Sequence, residues 1–173
     1  MKNKELSKIY DPSQVESKCY QAWEKEKLFT PINNNNESFT IMIPPPNVTG
    51  ILHIGHCLNN TIQDILIRRK RMLGNSTLWL PGMDHASIAT EAKVTQMLKT
   101  KGKDKKEIGR EAFLKHAWEW KEEYGGKILT QLKKLGASCD WNKTTFTMDK
   151  KYSKAVLKRS KLLLKCSKRL FKK

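Results

Sequence analysis

Apolar positions recur along the chain at two periods. Val15, Cys19, Ala22 and Trp23 return at helical spacing behind Asp11-Pro12, an N-cap followed by a residue pre-set for the first helical turn. An amphipathic helix is therefore expected over 12–27. "TPINNNNES" (30–38) is a polar loop, since asparagine amides bond the nearby backbone and favour turns. Residues 39–43, "FTIMI", are short, apolar and partly β-branched, as a buried strand requires. Leu58, Ile62, Ile65, Leu66 and Met72 or Leu73 then share one helical face, with Asn59, Gln63, Arg68 and Lys70 mostly elsewhere. This predicts a helix from about Gly55 to Leu73, ended by Gly74. "STLWLP" (76–81) reads as a second buried strand, and a further helix is expected over 87–99. Past the basic loop "KTKGKDKK", Ile108, Ala112, Trp120, Tyr124, Ile128, Leu132 and Leu135 mark a helical region from Glu107 to Leu135, with a break expected at Gly125-Gly126. Strand, helix, strand, helix is the order of a parallel α/β sheet, and no internal repeat interrupts it.

Between the first strand and its helix lies "PPPNVTGILHIGH" (44–56). In parallel α/β sheets ligands bind at the carboxyl ends of strands, against helix N-termini. The prolines are expected to halt the strand in a rigid backbone whose carbonyls stay out of any ladder. Gly50 is expected to permit a tight turn, and Gly55 to let a ligand approach the backbone. His53 and His56 stand at the mouth of the following helix, where unpaired N–H groups and the helix dipole favour an anion. Their imidazoles can donate hydrogen bonds to phosphate oxygens as charge builds there. The physical reading is a nucleoside triphosphate pocket. The plainer alternative, a capping or solvated histidine, explains one such residue better than two flanking Ile-Gly. No third ligand is near enough in sequence for a metal site.

Composition changes this picture only modestly. Within 173 residues, 38% hydrophobic and 29% charged content suit one globular domain. The net charge of +17 is concentrated at the end: residues 150–173 hold 11 Lys or Arg and no acid, which leaves about +6 for the body. A mildly basic body suits a protein that meets phosphates, and equally an ordinary lysine-rich surface. No signal-peptide core or membrane-spanning run is present. Cys19, Cys57, Cys139 and Cys166 form no C-x-x-C pair, which argues against a zinc knuckle and for reduced thiols in a cytosolic setting.

"HIGH" (53–56), read with "PPPNVTG" (44–50), resembles the first signature motif of the class I aminoacyl-tRNA synthetases, and the lead-in is similar to the valine-specific branch of that family. "NTIQDILIRRKRMLGNSTLWLPGMDHASIATEAKV" (60–94) and "LGASCDWNKTTFTMD" (135–149) are similar to the same branch, so the resemblance covers roughly 7–156. It implies a Rossmann-like parallel sheet, here the N-terminal half of the catalytic domain, preceded by an N-terminal helix. The divisions expected are 1–38 for helix and loop, 39–150 for the catalytic part and 151–173 for a basic tail. The implied activity is ATP-dependent activation of valine and its transfer to tRNA-Val, in the cytoplasm, with Mg2+ accompanying ATP and no zinc.

Carried over by residue, His53 and His56 would be catalytic. Pro46, Asn47, Thr49, Gly50, His53, Gly55 and His56 would bind ATP. Pro44, Pro45, Asn47 and Asp84 would form the valine pocket, with Asp84 on the ammonium group, a pairing that charge complementarity makes reasonable. Helix capping ahead of Ala86 is the plainer role for Asp84, while His85 either lines the site or is structural. Ser87 and Glu91 depart from the glycine and glutamine usual in the family, and Cys19 replaces a common tryptophan. No KMSKS-type loop, editing insertion or anticodon-binding domain has a match. The chain is therefore expected to be an N-terminal piece, inactive alone, whose residues after Val156 read as an out-of-frame tail. A basic amphipathic helix built on Leu157, Leu162–Leu164 and Leu170 is the other reading of that tail. The competing functions are a stand-alone nucleotide- or RNA-binding fragment without catalysis, and an inert product of a decayed gene.

Overall fold

The computed structural model describes residues 8–32 and 35–170, with 164–170 as helical backbone alone. Leu164 and Leu170, two members of the expected tail face, thus have side chains outside the described residues. The first helix, α1 (Pro12–Lys25), starts as its sequence requires: Asp11 is the N-cap and its carboxylate accepts from Ser13 N. Strand β1 (Ser38–Met42) is followed by α2 (Ile54–Met72) and β2 (Ser76–Leu80). The two strands pair in parallel from Ser38↔Ser76 to Met42↔Leu80. Gly74, at φ +82°, closes α2 in the left-handed region that glycine tolerates.

A second parallel pair, β3 (Gly82–Met83) with β4 (Thr145–Phe146), forms its own two-stranded sheet. Between them run α3 (Ser87–Thr100), α4 (Lys105–Lys134) and a 3-10 turn at Trp141–Lys143; α5 (Lys150–Leu170) ends the described chain. The main core joins Ile43, Ile67, Trp79, Met83, Ile128, Leu132 and Phe146 across these elements, and Val94, Leu98 and Phe113 form a smaller cluster between α3 and α4.

Three expectations about packing are corrected. On α1 the buried residue is Tyr20, whose hydroxyl donates to Ala137 O at 2.6 Å and accepts from Trp141 Nε1 at 2.8 Å, whereas Val15, Cys19 and Ala22 are exposed. On α2 the stripe Leu58, Ile62, Ile65, Leu66 and Met72 faces outward. Its inner face is largely polar: Gln63 accepts from the indole of Trp79 (3.1 Å), Asp64 from Ser138, and only Asn60 and Ile67 are fully buried. Satisfied hydrogen bonds let a polar stripe pack where periodicity alone pointed to the apolar one. In α4 the helical geometry breaks at Gly109 (φ +74°), not at Gly125-Gly126. A Cβ on Gly125 would lie 3.1 Å from Met83 Sδ, so that glycine serves close packing of α4 on β3. The tail is continuous helix in α5, with every side chain from Lys150 to Leu163 exposed.

Candidate functional site

Residues 44–48 run beside the segment that follows β3. Asp84 N donates to Pro46 O (2.9 Å) and Val48 N to Asp84 O (3.0 Å), a parallel bridge between Asn47 and Asp84. The prolines do stop β1, but the expectation that their carbonyls stay unpaired fails at Pro46, because proline loses a donor and keeps its acceptor. From α4, Trp120 Nε1 donates to Val48 O at 2.7 Å, and Gln131 Oε1 accepts from Leu52 N at 2.9 Å. The loop is therefore fastened on two sides before it reaches the histidines.

His53 is the N-cap of α2, and its Nδ1 accepts from Gly55 N at 3.1 Å; His56 Nδ1 accepts in turn from His53 N at 3.2 Å. Together they form a capping box made of two imidazoles, whose ring centroids lie 3.9 Å apart. The amides of the N-cap His53 and of Gly55 are thus taken, and the expectation of unpaired N–H groups is corrected at those two positions. Since each Nδ1 accepts, the proton of each neutral ring sits on Nε2, which turns both histidines into outward N–H donors. Burial holds the His56 imidazole below its ordinary value, and the neighbouring His53 adds to the effect, so His56 is neutral at pH 7. Gly55 is needed for the His53 ring, which a Cβ there would meet at 3.1 Å. Gly50 has open space around it and no left-handed φ, so the backbone does not demand glycine.

Asp84 sits at the second strand end. Its Oδ1 accepts from Thr147 Oγ1 (2.9 Å) and Ala86 N (3.3 Å) and lies 3.2 Å from His85 Nδ1. The bond to Ala86 is a local turn contact; Ala86 is itself the N-cap of α3 and no side chain caps that helix, so the capping role expected of Asp84 is corrected. Ala86 itself is left-handed (φ +44°, ψ +49°), an uncommon state for a residue with a Cβ and a local cost beside the site.

Pro44, Pro45, Pro46, Asn47, Thr49, His53, Gly55 and His56 line one cleft of about 480 Å³. Gly50 and Asp84 do not line it; Asp84 joins it through the backbone bridge to Asn47. Ile51 and Leu52 of the loop, Asn59 and Asn60 of α2 and Ile128 of α4 complete the wall. The asparagines lie three and four residues after His56, one helical turn on, and that spacing was the signal available for them. Asn60 Nδ2 donates to His56 O at 2.7 Å, while its buried Oδ1 has no partner among the described residues. Among the described residues no group of three His, Cys, Asp or Glu could hold a metal ion.

Residues 18–167 match the family model for tRNA synthetases class I (I, L, M and V). The chain is 60% identical over 154 residues to the valine--tRNA ligase of Bacteroides thetaiotaomicron and 58% identical over 154 residues to that of Parabacteroides distasonis. It is 56% identical over 155 residues to the valine--tRNA ligase of Clostridium tetani. Each match covers 89% of this chain and 18% of the relative, so the chain spans under a fifth of the length of these curated relatives. Among solved structures, a LeuRS from Agrobacterium radiobacter in ternary complex with tRNA and LeuAMS shares the fold. The TM-score is 0.71 at 22% identity, over 93% of this chain and 18% of that one. The family match runs past Val156, where the legible resemblance ended.

Proposed function

The chain belongs to the class I tRNA synthetases of the I, L, M and V group, and on that premise we propose that it forms the ATP- and amino-acid-binding part of a cytoplasmic valine–tRNA ligase. In this reading 39–150 is the N-terminal part of the Rossmann-type catalytic domain. The valine carboxylate attacks the α-phosphorus of ATP, valyl-adenylate forms, pyrophosphate leaves, and the valyl group passes to tRNA-Val. His53 and His56 donate from Nε2 to the phosphate oxygens as negative charge grows there. Gly55 leaves room for the His53 ring, and Pro46, Asn47, Thr49 and Gly50 form the backbone wall on the ATP side. Pro44, Pro45 and Asn47 border valine, and Asp84 faces its ammonium group. No Asp or Glu lines the cleft, so its residues do not themselves suit Mg2+. The observation that carries the reading is the Asn47↔Asp84 bridge, which ties the carboxylate to the loop bearing both imidazole donors.

The test is valine-dependent pyrophosphate exchange by this chain fused to the remaining length of a relative such as the B. thetaiotaomicron ligase. His56→Ala is expected to slow exchange by about 10²–10³ with little change in ATP KM, the signature of a donor aimed at transition-state charge. A change confined to KM would sink this assignment. A second reading, nucleic-acid capture without catalysis, is favoured by the exposed Lys150, Lys151, Lys154, Lys158 and Lys161 of α5. In that case deleting 157–173 would lower RNA affinity and valine would have no effect.

A further inference from the structure

Thr147 lies in a stretch, "FTMD", that none of the roles above uses. Its backbone continues the pairing of β4 with β3, Thr147 N donating to Met83 O at 3.1 Å, and this brings its side chain beside Asp84. A threonine hydroxyl has one proton, and here it goes to Asp84 Oδ1 at 2.9 Å. The same oxygen then accepts from the backbone N–H of His85 (2.9 Å) and faces His85 Nδ1 at 2.5 Å, so Nδ1 carries the imidazole proton. Every polar contact that the described residues make to the Asp84 carboxylate falls on Oδ1. Among the described residues nothing bonds Oδ2, although the side chain is only 35% exposed.

We infer that Thr147 is a positioning residue for substrate recognition: by holding Oδ1, with His85 locking the hydroxyl's direction, it turns Asp84 Oδ2 toward the ammonium group of an α-amino acid. This rests on the reading of Asp84 as the ammonium partner. Thr147 does not touch the amino acid; it removes the rotation that Asp84 would otherwise lose on binding, the way an outer hydrogen bond orients an inner ligand. The sequence offered no signal for it, since Thr147 and Asp84 are 63 residues apart and meet only through the two-residue pairing of β3 and β4.

The experiment is calorimetric titration of the 173-residue chain with valine and with 3-methylbutanoate, which keeps the branched chain and carboxylate but lacks the amine. Thr147→Val, which keeps the shape and deletes the hydroxyl, is expected to weaken valine binding about three- to tenfold, leaving ATP binding unchanged. Thr147→Ser is expected to restore binding, which a purely space-filling role would not allow. If Thr147→Val binds valine normally, or Thr147→Ser does not restore it, while Asp84→Asn binds weakly, the positioning role is wrong and the ammonium reading stands. If Asp84→Asn binds normally, if 3-methylbutanoate binds as well as valine, or if the unsubstituted chain takes up no valine, the ammonium reading falls and Thr147's role falls with it.

Discussion

Asp64 and Asp84 hold their first carboxylate oxygen in similar ways. Asp64 Oδ1 accepts from the backbone N–H and hydroxyl of Ser138, at 3.0 and 2.5 Å; Asp84 Oδ1 accepts from the hydroxyl of Thr147 and the N–H of Ala86. Their second oxygens differ. Asp64 Oδ2 takes Arg68 Nε at 2.6 Å, and Arg68 also donates to Gly136 O while Arg71 reaches Ser138. Asp84 Oδ2 has no such partner among the described residues. One carboxylate is spent entirely on joining α2 to the chain after α4, and the other keeps half its bonding capacity in reserve. A carboxylate's chemistry here follows from whether a cation of the same chain has already reached it.

The largest effect that tests this contrast is on stability. Asp64→Asn leaves Arg68, and Ser138, which is fully buried, without their anion, and is expected to cost about 2–3 kcal/mol in urea unfolding. A cost below about 1 kcal/mol would make Asp64 no more structural than Asp84. Next, Asp84→Asn is expected to leave unfolding nearly unchanged while reducing valine affinity by about 10- to 100-fold, since a charged hydrogen bond of about 1.5–3 kcal/mol is lost. Arg68→Lys is expected to cost about 1 kcal/mol, because an ammonium cannot span Asp64 and Gly136 as the guanidinium fork does; equal stability would place the clamp in Ser138 alone. The smallest effect concerns the histidines, which show the same division into a committed Nδ1 and a free Nε2. NMR titration is expected to place His56 below the ordinary histidine value of about 6.5, and His53→Asn to move it upward, though not fully, since burial is the larger cause. Because the unfolded chain binds that proton first, this group contributes a loss of stability as pH falls below about 6.5 and none above it.

Local signals made much of this fold legible. Asp11-Pro12, the three prolines and Gly74 each act on their own backbone, so the limits of α1, β1 and α2 could be read to within two residues. Which face of a helix packs is a different matter. The inner stripe of α2 is polar because Ser138 and Trp79 satisfy it, and those partners lie up to 74 residues away. β3 and β4 are two residues each and have no periodicity to detect. Gly125-Gly126 looked like a break because two adjacent glycines weaken a helix, yet Gly125 is there to admit Met83. At the site, the strand-stop loop, His53, His56 and Asp84 stood out by residue type and position, whereas Thr147 acts through a partner that only the folded chain supplies.

The bond pair joining Pro46 and Val48 to Asp84 is made of main-chain atoms alone. Nothing in it depends on which side chains stand at 47 and 84. The separation between the proline loop and the segment carrying Asp84 is therefore set by the path of the backbone, and side chains there can be exchanged without disturbing it. Such an arrangement is open to drift: the side chains beside the cleft can be replaced by point substitution while the spacing of the two segments is inherited intact.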